Sequence, residues 1–561
     1  MAAWRGARWT TAAAAGEIVY ARGPALGEEQ AALATIGAAM PVAAAKDSAQ
    51  PTWRVGALAS AVLTPLAIAV HGYHPFAEDG GVYVAGIKRT LNSSLYPYWS
   101  GFITTHLKFS LFAPAVAAVA RVTHAGLMPV LFALYAATMW LTLFAAWLLA
   151  SRCAAGRNAC LGAVTLLAMT LTIPVAGTSL MLMDPYVTAR SLSTPCGLLM
   201  LVGALDVATA WSAGARVSWG AVTLVAGSFL VAAAMHPLMA AYALGCAMLL
   251  VALSLRARVA LLTACGLLSG TVLAMAASIE MLGPVTTSAY AMVAQTRTYW
   301  FLSNWHLYEL VGLMGPPVVV LLVWRRGITG ERSAGARVAE MTAIAGASAT
   351  VIAALFAEPW SRSYELAMLQ PLRVYSTIYL VMLVALGAWM AEKLLRPCMG
   401  RRGMVSWAAA IVLAGGAMAF VQRETFPGSA HVELPGRGPV NAWTDAFEWV
   451  RGHTPVTAVF ALDSKYAEAA GEDSQNFRAI ADRSAMPDYA KDGGIAAIAP
   501  GLTTEWLEGE SAQKGLAAGV GSTELARLRA YGVDWIIVPR ETPLTIPCAY
   551  ENAMVRVCRV R

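Results

Sequence analysis

The sequence contains little charge: 13% of its 561 residues are Asp, Glu, Lys or Arg, whereas 58% are hydrophobic. Soluble chains carry about 25% charged residues, so a wholly soluble protein is excluded. The mean hydropathy of +0.57 is typical of a polytopic membrane protein. The formal net charge of +7 does not predict nucleic-acid binding, because the basic residues lie in short loops between apolar segments and form no basic face.

Cysteine is also scarce, with eight residues and no CxxC pair, which excludes a disulfide-rich scaffold and a CxxC-type zinc site. The polar C-terminal tail has no GxGxxG and no P-loop motif, so nucleotide binding has no support. Cys548 and Cys558 flank a predicted hairpin in that tail. They would pair if the tail lies outside the cytoplasm, an alternative that the sequence leaves open.

The chain has long apolar runs instead. A spanning helix needs about 20 apolar residues, and candidate segments lie at 53–73, 106–121, 127–150, 158–174, 191–211, 218–235, 237–255, 258–280, 304–324, 338–357, 371–395 and 405–422. From Glu424 the composition becomes mixed and polar. The predicted units are a disordered cytoplasmic leader, an all-α polytopic membrane domain and a small α/β soluble domain, at 1–52, 53–423 and 424–561.

Loop charges predict the orientation. Lys- and Arg-rich loops stay in the cytoplasm, here those with Arg152, Arg157, Arg216, Arg256, Arg258, Arg325, Arg326, Arg332, Arg337, Lys393, Arg396, Arg401 and Arg402. The alternating loops carry single cations beside acidic residues and should lie outside, together with the tail. We therefore expect a multi-pass protein of a bacterial inner membrane, with a periplasmic or extracellular C-terminal domain.

The segment at 106–121 conflicts with this alternation, because it would add a crossing that the loop charges do not allow. It is short and contains Pro114, so we expect a re-entrant or interfacial helix and about eleven crossings in total. The preceding stretch, 74–105, is the predicted first extracytoplasmic loop. Its residues 82–92 alternate in a helical pattern that predicts an interfacial amphipathic helix.

The tail predicts alternating helices and strands. A helix at 441–455 precedes a buried strand at 456–463, and a helix, turn and strand follow at 522–540. A closing hairpin is expected at 546–560, with its turn at Glu551 and Asn552.

The first candidate site is the acidic pair Glu78 and Asp79 in "HPFAEDGGVYVAG", directly after the first apolar segment. Adjacent carboxylates at a membrane surface can bind a divalent cation, or one can act as a general base toward a hydroxyl. Gly80 and Gly81 would let the backbone approach a ligand closely. The alternative is that one carboxylate caps the helix predicted to begin near Gly81.

Further candidates lie in the other outer loops. "MDPYVTARSLSTP" contributes Asp184 and Arg190, which suit a charged headgroup, although helix capping by neighbouring serines and a snorkelling Arg190 would explain the same residues. Arg373 opens a late apolar helix, where phosphate is a natural partner, and a salt bridge to Glu358 or Glu365 is the alternative. Weaker candidates for substrate binding are His74, His236, Arg297 and Arg362.

Together these segments resemble the GT-C superfamily of membrane glycosyltransferases, which includes protein O-mannosyltransferases, aminoarabinose transferases and oligosaccharyltransferases. The resemblance spans 53–561 and is carried by "HPFAEDGGVYVAG", "DPYVTARSLST" and "LQPLRVYSTIYL", with "WVRGHTPVTAVF" and "YGVDWIIVPR" in the tail. It implies hexosyl or pentosyl transfer from a polyprenyl-phosphate carrier to an envelope acceptor outside the cytoplasm. Its implied partners are this lipid-linked donor and the membrane lipids.

The resemblance also implies roles for particular residues. Asp79 or Glu78 would be the catalytic base, or a ligand of Mg²⁺ or Mn²⁺ as in the metal-dependent branches. Arg373 would contact the donor phosphate, and Asp184 with Arg190 would shape the acceptor side. The chain lacks the Trp-Trp-Asp signature of oligosaccharyltransferases, so N-glycosylation is not expected, and its second outer loop has one acid where metal-dependent members have two.

The alternative is a non-enzymatic GT-C-like membrane protein or a transporter. A transporter should show internal repeats and charges near the middle of helices, and the sequence shows neither.

Overall fold

The computed structural model describes residues 51–154, 156–255, 258–324, 333–438, 441–469 and 471–561. The predicted leader therefore lies outside the described residues except at its last two positions, and so do the loop cations Arg256, Arg325, Arg326 and Arg332. The chain is mostly helical (68%), with a small sheet near its C-terminus, as the composition predicted.

The helices fall into an apolar N-terminal series and a shorter polar series near the C-terminus. In chain order they are α1 (Trp53–His71), α2 (Glu78–Leu91), α3 (Gly101–Thr104), α4 (Phe112–Thr123), α5 (Leu127–Cys153), α6 (Arg157–Met169), α7 (Ala189–Ser212), α8 (Trp219–Met235), α9 (Pro237–Ala252), α10 (Arg258–Leu282), α11 (Ser288–Gln295), α12 (Leu307–Trp324), α13 (Ala334–Phe356), α14 (Glu365–Leu369), α15 (Tyr375–Leu394), α16 (Gly400–Thr425), α17 (Ala442–His453), α18 (Phe477–Ala481), α19 (Lys491–Ile498), α20 (Thr503–Gln513) and α21 (Ser522–Ala530).

Eight helical segments in the described part of the chain are long and apolar enough to cross a membrane. The predicted total of about eleven crossings also counts α6, α8 and α9, which are apolar but shorter. The segment predicted to be re-entrant is broken: Gly101–Phe109 and Phe112–Thr123 meet at a bend of 93°. Such a bend is compatible with a re-entrant loop and with a broken span.

Small residues let the apolar helices pack closely. A Cβ atom on Gly162 of α6 would lie 2.3 Å from the Cβ of Ala391 in α15, and one on Gly387 would lie 2.6 Å from the carbonyl oxygen of Gly162. Because lipid is as apolar as Leu, helix association in membranes depends on such close backbone contact. The two glycines therefore bring α6 and α15 into close backbone contact in the C-terminal half of α15.

The C-terminal region contains a five-stranded sheet in the order β4-β3-β5-β7-β6. Its strands are β3 (Val459–Ala461), β4 (Ser484–Ala485), β5 (Trp535–Pro539), β6 (Cys548–Glu551) and β7 (Val555–Arg559), and a separate hairpin joins β1 (Pro174–Val175) to β2 (Leu180–Met181). Strand β3 runs parallel to β4 and β5, whereas β7 is antiparallel to β5 and β6. The predicted helix at 441–455, strands and closing hairpin are confirmed.

A disulfide bond joins Cys548 and Cys558 across the β6–β7 hairpin. The pairing that the sequence left open is therefore present. Disulfide bonds persist in oxidising compartments and are rare in the cytoplasm.

The C-terminal domain packs on α2 and the loop that follows it. Lys88 of α2 donates to Asp482 and to the carbonyl oxygen of Ala479, both at 2.7 Å. The hydroxyl of Tyr96 donates to the carbonyl oxygen of Arg478 at 2.9 Å. Helix α2 was predicted to lie on the membrane surface. Its polar residue Lys88 contacts the C-terminal domain.

Candidate active site

The acidic pair begins α2 but does not cap it. The helix starts at Glu78, and its N-cap residue, Ala77, offers no side-chain hydrogen bond. The capping alternative is therefore wrong. Glu78 also has a positive φ of 49°, a conformation that is costly for a residue with a Cβ and that concentrates at functional sites. Both acidic side chains remain about half exposed, at 54% for Glu78 and 49% for Asp79, so a ligand can reach them.

The partner of this pair comes from the C-terminal domain. The Nζ of Lys491, the first residue of α19, forms an ion pair with Glu78 and lies 3.2 Å from Oδ1 of Asp79. Lys491 is itself 23% exposed. One ammonium group thus bridges two adjacent carboxylates across the interface between the domains.

The glycines after the pair permit contact with protein. A Cβ atom on Gly80 would lie 2.9 Å from the ring of Tyr186, and one on Gly81 would lie 2.1 Å from the Cβ of Asn476. We predicted close backbone approach at these positions, but to a ligand. The structure shows that the glycines let α2 fit between the loop before α7 and the C-terminal domain.

Asp184 and Arg190, the second predicted pair, bind each other. The Arg190 guanidinium donates to Oδ2 of Asp184, and both side chains are buried. Burial raises the pKa of Asp184, and Arg190 opposes that rise. The predicted serine capping also occurs, because the Ser191 hydroxyl accepts from the backbone N–H of Thr188 at 3.0 Å.

The Arg373 side chain has no partner among the residues that the structure describes. The structure gives its guanidinium no hydrogen bond and no ion pair with a described residue, and its buried Nε is unsatisfied. The alternative of a salt bridge to Glu358 or Glu365 is therefore not observed. Arg373 lines a small cavity with Gln370, whose buried Oε1 also lacks a partner, and with Thr178, Tyr299, Trp300, Pro371 and Leu372.

The backbone beside this cavity is held in an uncommon conformation. Gln370 has a positive φ of 51°, and its backbone carbonyl accepts from the N–H of Arg373 at 2.9 Å. A left-handed residue with a side chain costs about 1–3 kcal/mol and persists where the surroundings impose it. Two residues with positive φ therefore lie next to candidate charged groups, Gln370 beside Arg373 and Glu78 beside Asp79 and Lys491.

The charged groups converge on Asp79. The ammonium of Lys491 lowers the pKa of Asp79 to about 2, opposed by burial and assisted by Arg190 and Arg373. Asp79 is consequently an ionised carboxylate at neutral pH. Lys491 contacts Asp79 directly, whereas Arg190 and Arg373 contribute to its lowered pKa through charge alone.

Two histidines also lie near this carboxylate. The ring of His106 packs edge-on against Tyr83 at 4.9 Å, and both of its buried nitrogens lack a hydrogen-bond partner. Tyr83 follows Asp79 by one helical turn and shares its face of α2. His236, a predicted substrate-binding residue, caps α9 by accepting from the N–H of Met239 at 3.4 Å. Its role in substrate binding stays a prediction.

The other three candidates make contacts within the protein. His74 is buried and bonds through Nδ1 to Glu433 at 2.8 Å. Arg297 donates to the carbonyl oxygens of Tyr489 and Ala490.

Arg362 donates to the carbonyl oxygens of Glu280 and Gly283, at 3.1 and 2.6 Å. These contacts hold outer loops and domains together, and Arg362 is not among the main charges acting on Asp79.

Metal binding at the acidic pair remains a prediction. Within the described ranges, no group of three or more His, Cys, Asp and Glu side chains could hold a metal ion. A cation at Glu78 and Asp79 would have to replace Lys491 and complete its coordination with water or substrate oxygens.

The sequence did not indicate Lys491, His106 or Gln370 as site residues. Lys491 follows Asp79 by 412 positions, and a lone lysine at the start of a short helix carries no local signal. His106 lies at the start of the segment that was predicted to be re-entrant or interfacial, but its pairing with Tyr83 depends on the tertiary fold. No protein-family model matches the chain, and the comparison with curated proteins gave no match either.

Proposed function

We propose that this protein is an integral membrane glycosyltransferase of the GT-C type, acting on the extracytoplasmic face of a bacterial inner membrane. It transfers a sugar from a polyprenyl-phosphate carrier to an envelope acceptor. The observation that carries the proposal is that the Arg373 guanidinium makes no hydrogen bond or ion pair with a described residue and has an unsatisfied, buried Nε. Its charge also contributes, after those of Lys491 and Arg190, to the lowered pKa of Asp79. An unpaired arginine at the edge of an apolar helix is suited to a phosphate.

The proposed reaction uses the Asp79 carboxylate and the Arg373 guanidinium. The acceptor hydroxyl attacks the anomeric carbon as its proton passes to the Asp79 carboxylate, and the bond between that carbon and the phosphate oxygen breaks. The bonding electrons leave with the polyprenyl phosphate, whose added charge Arg373 stabilises. Attack opposite the leaving group inverts the anomeric carbon.

The location is supported by two features. The disulfide bond between Cys548 and Cys558 suits an oxidising compartment. The Lys- and Arg-rich loops are predicted to lie on the cytoplasmic side, opposite to the loops that carry the candidate residues. The site and the C-terminal domain share one side of the helical region, since Lys491 bonds Asp79 directly. Both features favour an extracytoplasmic site. The proposal keeps about eleven crossings for the membrane domain.

The test is a transfer assay in nanodiscs with a panel of hexosyl and pentosyl polyprenyl phosphates, measuring release of free polyprenyl phosphate. Asp79→Asn should reduce turnover by about 10²–10⁴-fold, the usual contribution of a general base. Glu541→Gln, at an exposed position of the C-terminal domain, is the matched control and should retain full turnover. Full activity of Asp79→Asn would contradict the proposal, and binding of donors without turnover by the wild type would favour the non-enzymatic alternative.

A further inference from the structure

The small cavity beside Arg373 contains three buried polar atoms that lack a hydrogen-bond partner in the part of the chain that the structure describes. They are the Nε of Arg373, the Nε1 of Trp300 and the Oε1 of Gln370. The first two are donors and the third is an acceptor. We propose that this cavity binds one hydroxyl group of the sugar donor, on the carbon next to the one that carries the phosphate. This hydroxyl site rests on the proposed function and adds to it a chemical feature that the donor must have.

The volume of the cavity limits what can enter it. It is about 10 Å³, close to the smallest volume that holds one water molecule. A phosphate group or a sugar ring is too large for this space, whereas a single oxygen atom fits. The rest of the wall is formed by Thr178, Tyr299, Pro371 and Leu372.

A hydroxyl oxygen matches the three unpartnered atoms. It accepts two hydrogen bonds, one from Arg373 and one from Trp300, and its own O–H donates to Gln370. An ionised phosphate oxygen has no hydrogen to donate, so it would leave the Oε1 of Gln370 buried without a partner. Because an unsatisfied buried polar atom is costly, the cavity favours a hydroxyl group over a phosphate oxygen.

The side chain and the backbone of Gln370 are both held in place. Its Nε2 donates to the carbonyl oxygen of Met368 at 3.4 Å, which leaves Oε1 as the free end of the amide. Its backbone N–H donates to the carbonyl oxygens of Leu366 and Ala367, at 3.2 and 3.0 Å, and its carbonyl oxygen accepts from the N–H of Arg373. The acceptor and the guanidinium therefore belong to one hydrogen-bonded turn.

The Arg373 guanidinium links the hydroxyl site to the phosphate. Of its three nitrogens, only Nε is both buried and unsatisfied, and the other two are left for the donor phosphate. The nitrogens of a guanidinium are fixed side by side in one plane, so two oxygens that they bind must be close neighbours. In a sugar 1-phosphate the hydroxyl next to the phosphate is the 2-hydroxyl, and this is the group that the cavity fits.

The test compares sugar phosphates that differ at this hydroxyl. Glucose, mannose and ribose 1-phosphate are titrated against the full chain in nanodiscs, beside 2-deoxyglucose and 2-deoxyribose 1-phosphate, and binding is measured by calorimetry. In the wild type, at least one hydroxylated probe should bind about 10–100-fold more tightly than its deoxy analogue, as expected for a hydrogen bond to a charged group.

Gln370→Met removes the acceptor and keeps a side chain of similar length. It should bind hydroxylated and deoxy probes with equal affinity, and its affinity for the deoxy probes should equal that of the wild type. Gln295→Met is the matched control, because Gln295 donates to the Tyr364 hydroxyl at 2.8 Å and does not line the cavity. It should keep the wild-type preference.

Equal affinities of hydroxylated and deoxy probes in the wild type would overturn the hydroxyl site, since the cavity would then hold a buried water molecule only. This comparison needs no variant, so it holds even if Gln370→Met fails to fold. A preference that persists in Gln370→Met would also overturn the site, and so would the absence of binding by every probe. Equal affinities in a protein that transfers sugar would leave the proposed function standing. A preference that Gln370→Met abolishes, in a protein without transfer activity, would uphold the hydroxyl site and refute only the proposed function.

Discussion

The contact between α2 and the C-terminal domain predicts a large effect of one added methyl group. In Gly81→Ala the new Cβ would lie 2.1 Å from the Cβ of Asn476 and 2.7 Å from the carbonyl oxygen of Phe76. Asn476 cannot retreat freely, because its N–H donates to that same carbonyl at 3.2 Å and its Oδ1 accepts from the N–H of Ala479 at 3.0 Å.

The cost can be estimated from these contacts. Overpacking costs about 1–3 kcal/mol, and each hydrogen bond lost in the relaxation adds about 0.5–1.5 kcal/mol. A total of about 2–4 kcal/mol corresponds to about 30–1000-fold in the equilibrium for opening the interface. Local opening is what amide hydrogen exchange reports.

The assay is hydrogen exchange with mass spectrometry on the full chain in nanodiscs. Peptides that contain Phe477–Ala481 should exchange about 30–1000-fold faster in Gly81→Ala than in wild type. Gly245→Ala is the control, because a Cβ there would have no atom within 4 Å. Equal exchange of these peptides in wild type and Gly81→Ala would refute the account of how the two domains meet.

Three further predictions concern the same interface, the hairpin and the acidic pair. Lys88→Met should also speed exchange of Phe477–Ala481, since it leaves Asp482 without its ion pair, whereas Lys514→Met should not. Cys558→Ser should destabilise the β6–β7 hairpin by about 2–3 kcal/mol, measured by exchange in both strands, and a reductant should then affect only the wild type. Acidification should destabilise the wild type more than Asp79→Asn. The pKa of Asp79 falls from 3.8 to about 2 on folding. The ionised Asp79 therefore stabilises the folded state fully above about pH 4, and this stabilisation is lost as the pH approaches 2. Equal losses of unfolding free energy with falling pH in wild type and Asp79→Asn would contradict this.

Local patterns predicted much of the fold. Apolar runs predicted the long helices, and the pattern of the tail predicted its closing hairpin. These features depend on neighbours within a few residues, which is what a sequence records directly. The prediction that 106–121 does not span the membrane stays open, because the bend of 93° before Phe112 fits a re-entrant loop and a broken span equally. The number of membrane crossings does not follow from the apolar runs alone. Helices α6, α8 and α9 are apolar but shorter than the eight that are long enough to span a membrane.

The site was predictable in part. The sequence has few charged residues beside its apolar segments, and this rarity was enough to name four of them as candidates: Asp79, Asp184, Arg190 and Arg373. Their pairing was not predictable. Arg190 pairs with Asp184, whereas Arg373 forms no ion pair with a described residue, although Glu365 also lies within a few residues of it in the sequence.

Lys491 could not be found from the sequence. Its contact with Asp79 depends on the tertiary fold, in which Arg297 donates to the carbonyl oxygen of Ala490 and Asp488 accepts from the N–H of Lys491. The alternative that one acidic residue caps α2 was wrong for the same reason, the tertiary fold. Glu78 and Asp79 bond Lys491 of the C-terminal domain and not the backbone N–H groups of α2.

The central claim is that Arg373 holds the phosphate of the donor beside Asp79. Its most direct test is equilibrium binding of undecaprenyl phosphate to the full chain in nanodiscs. Arg373→Met should weaken binding about 10–100-fold, as expected for losing a charged hydrogen-bonding group, while Asp79→Asn and Arg362→Met should bind with wild-type affinity. Unchanged affinity in Arg373→Met would contradict the account, and so would a loss in Arg362→Met equal to that in Arg373→Met.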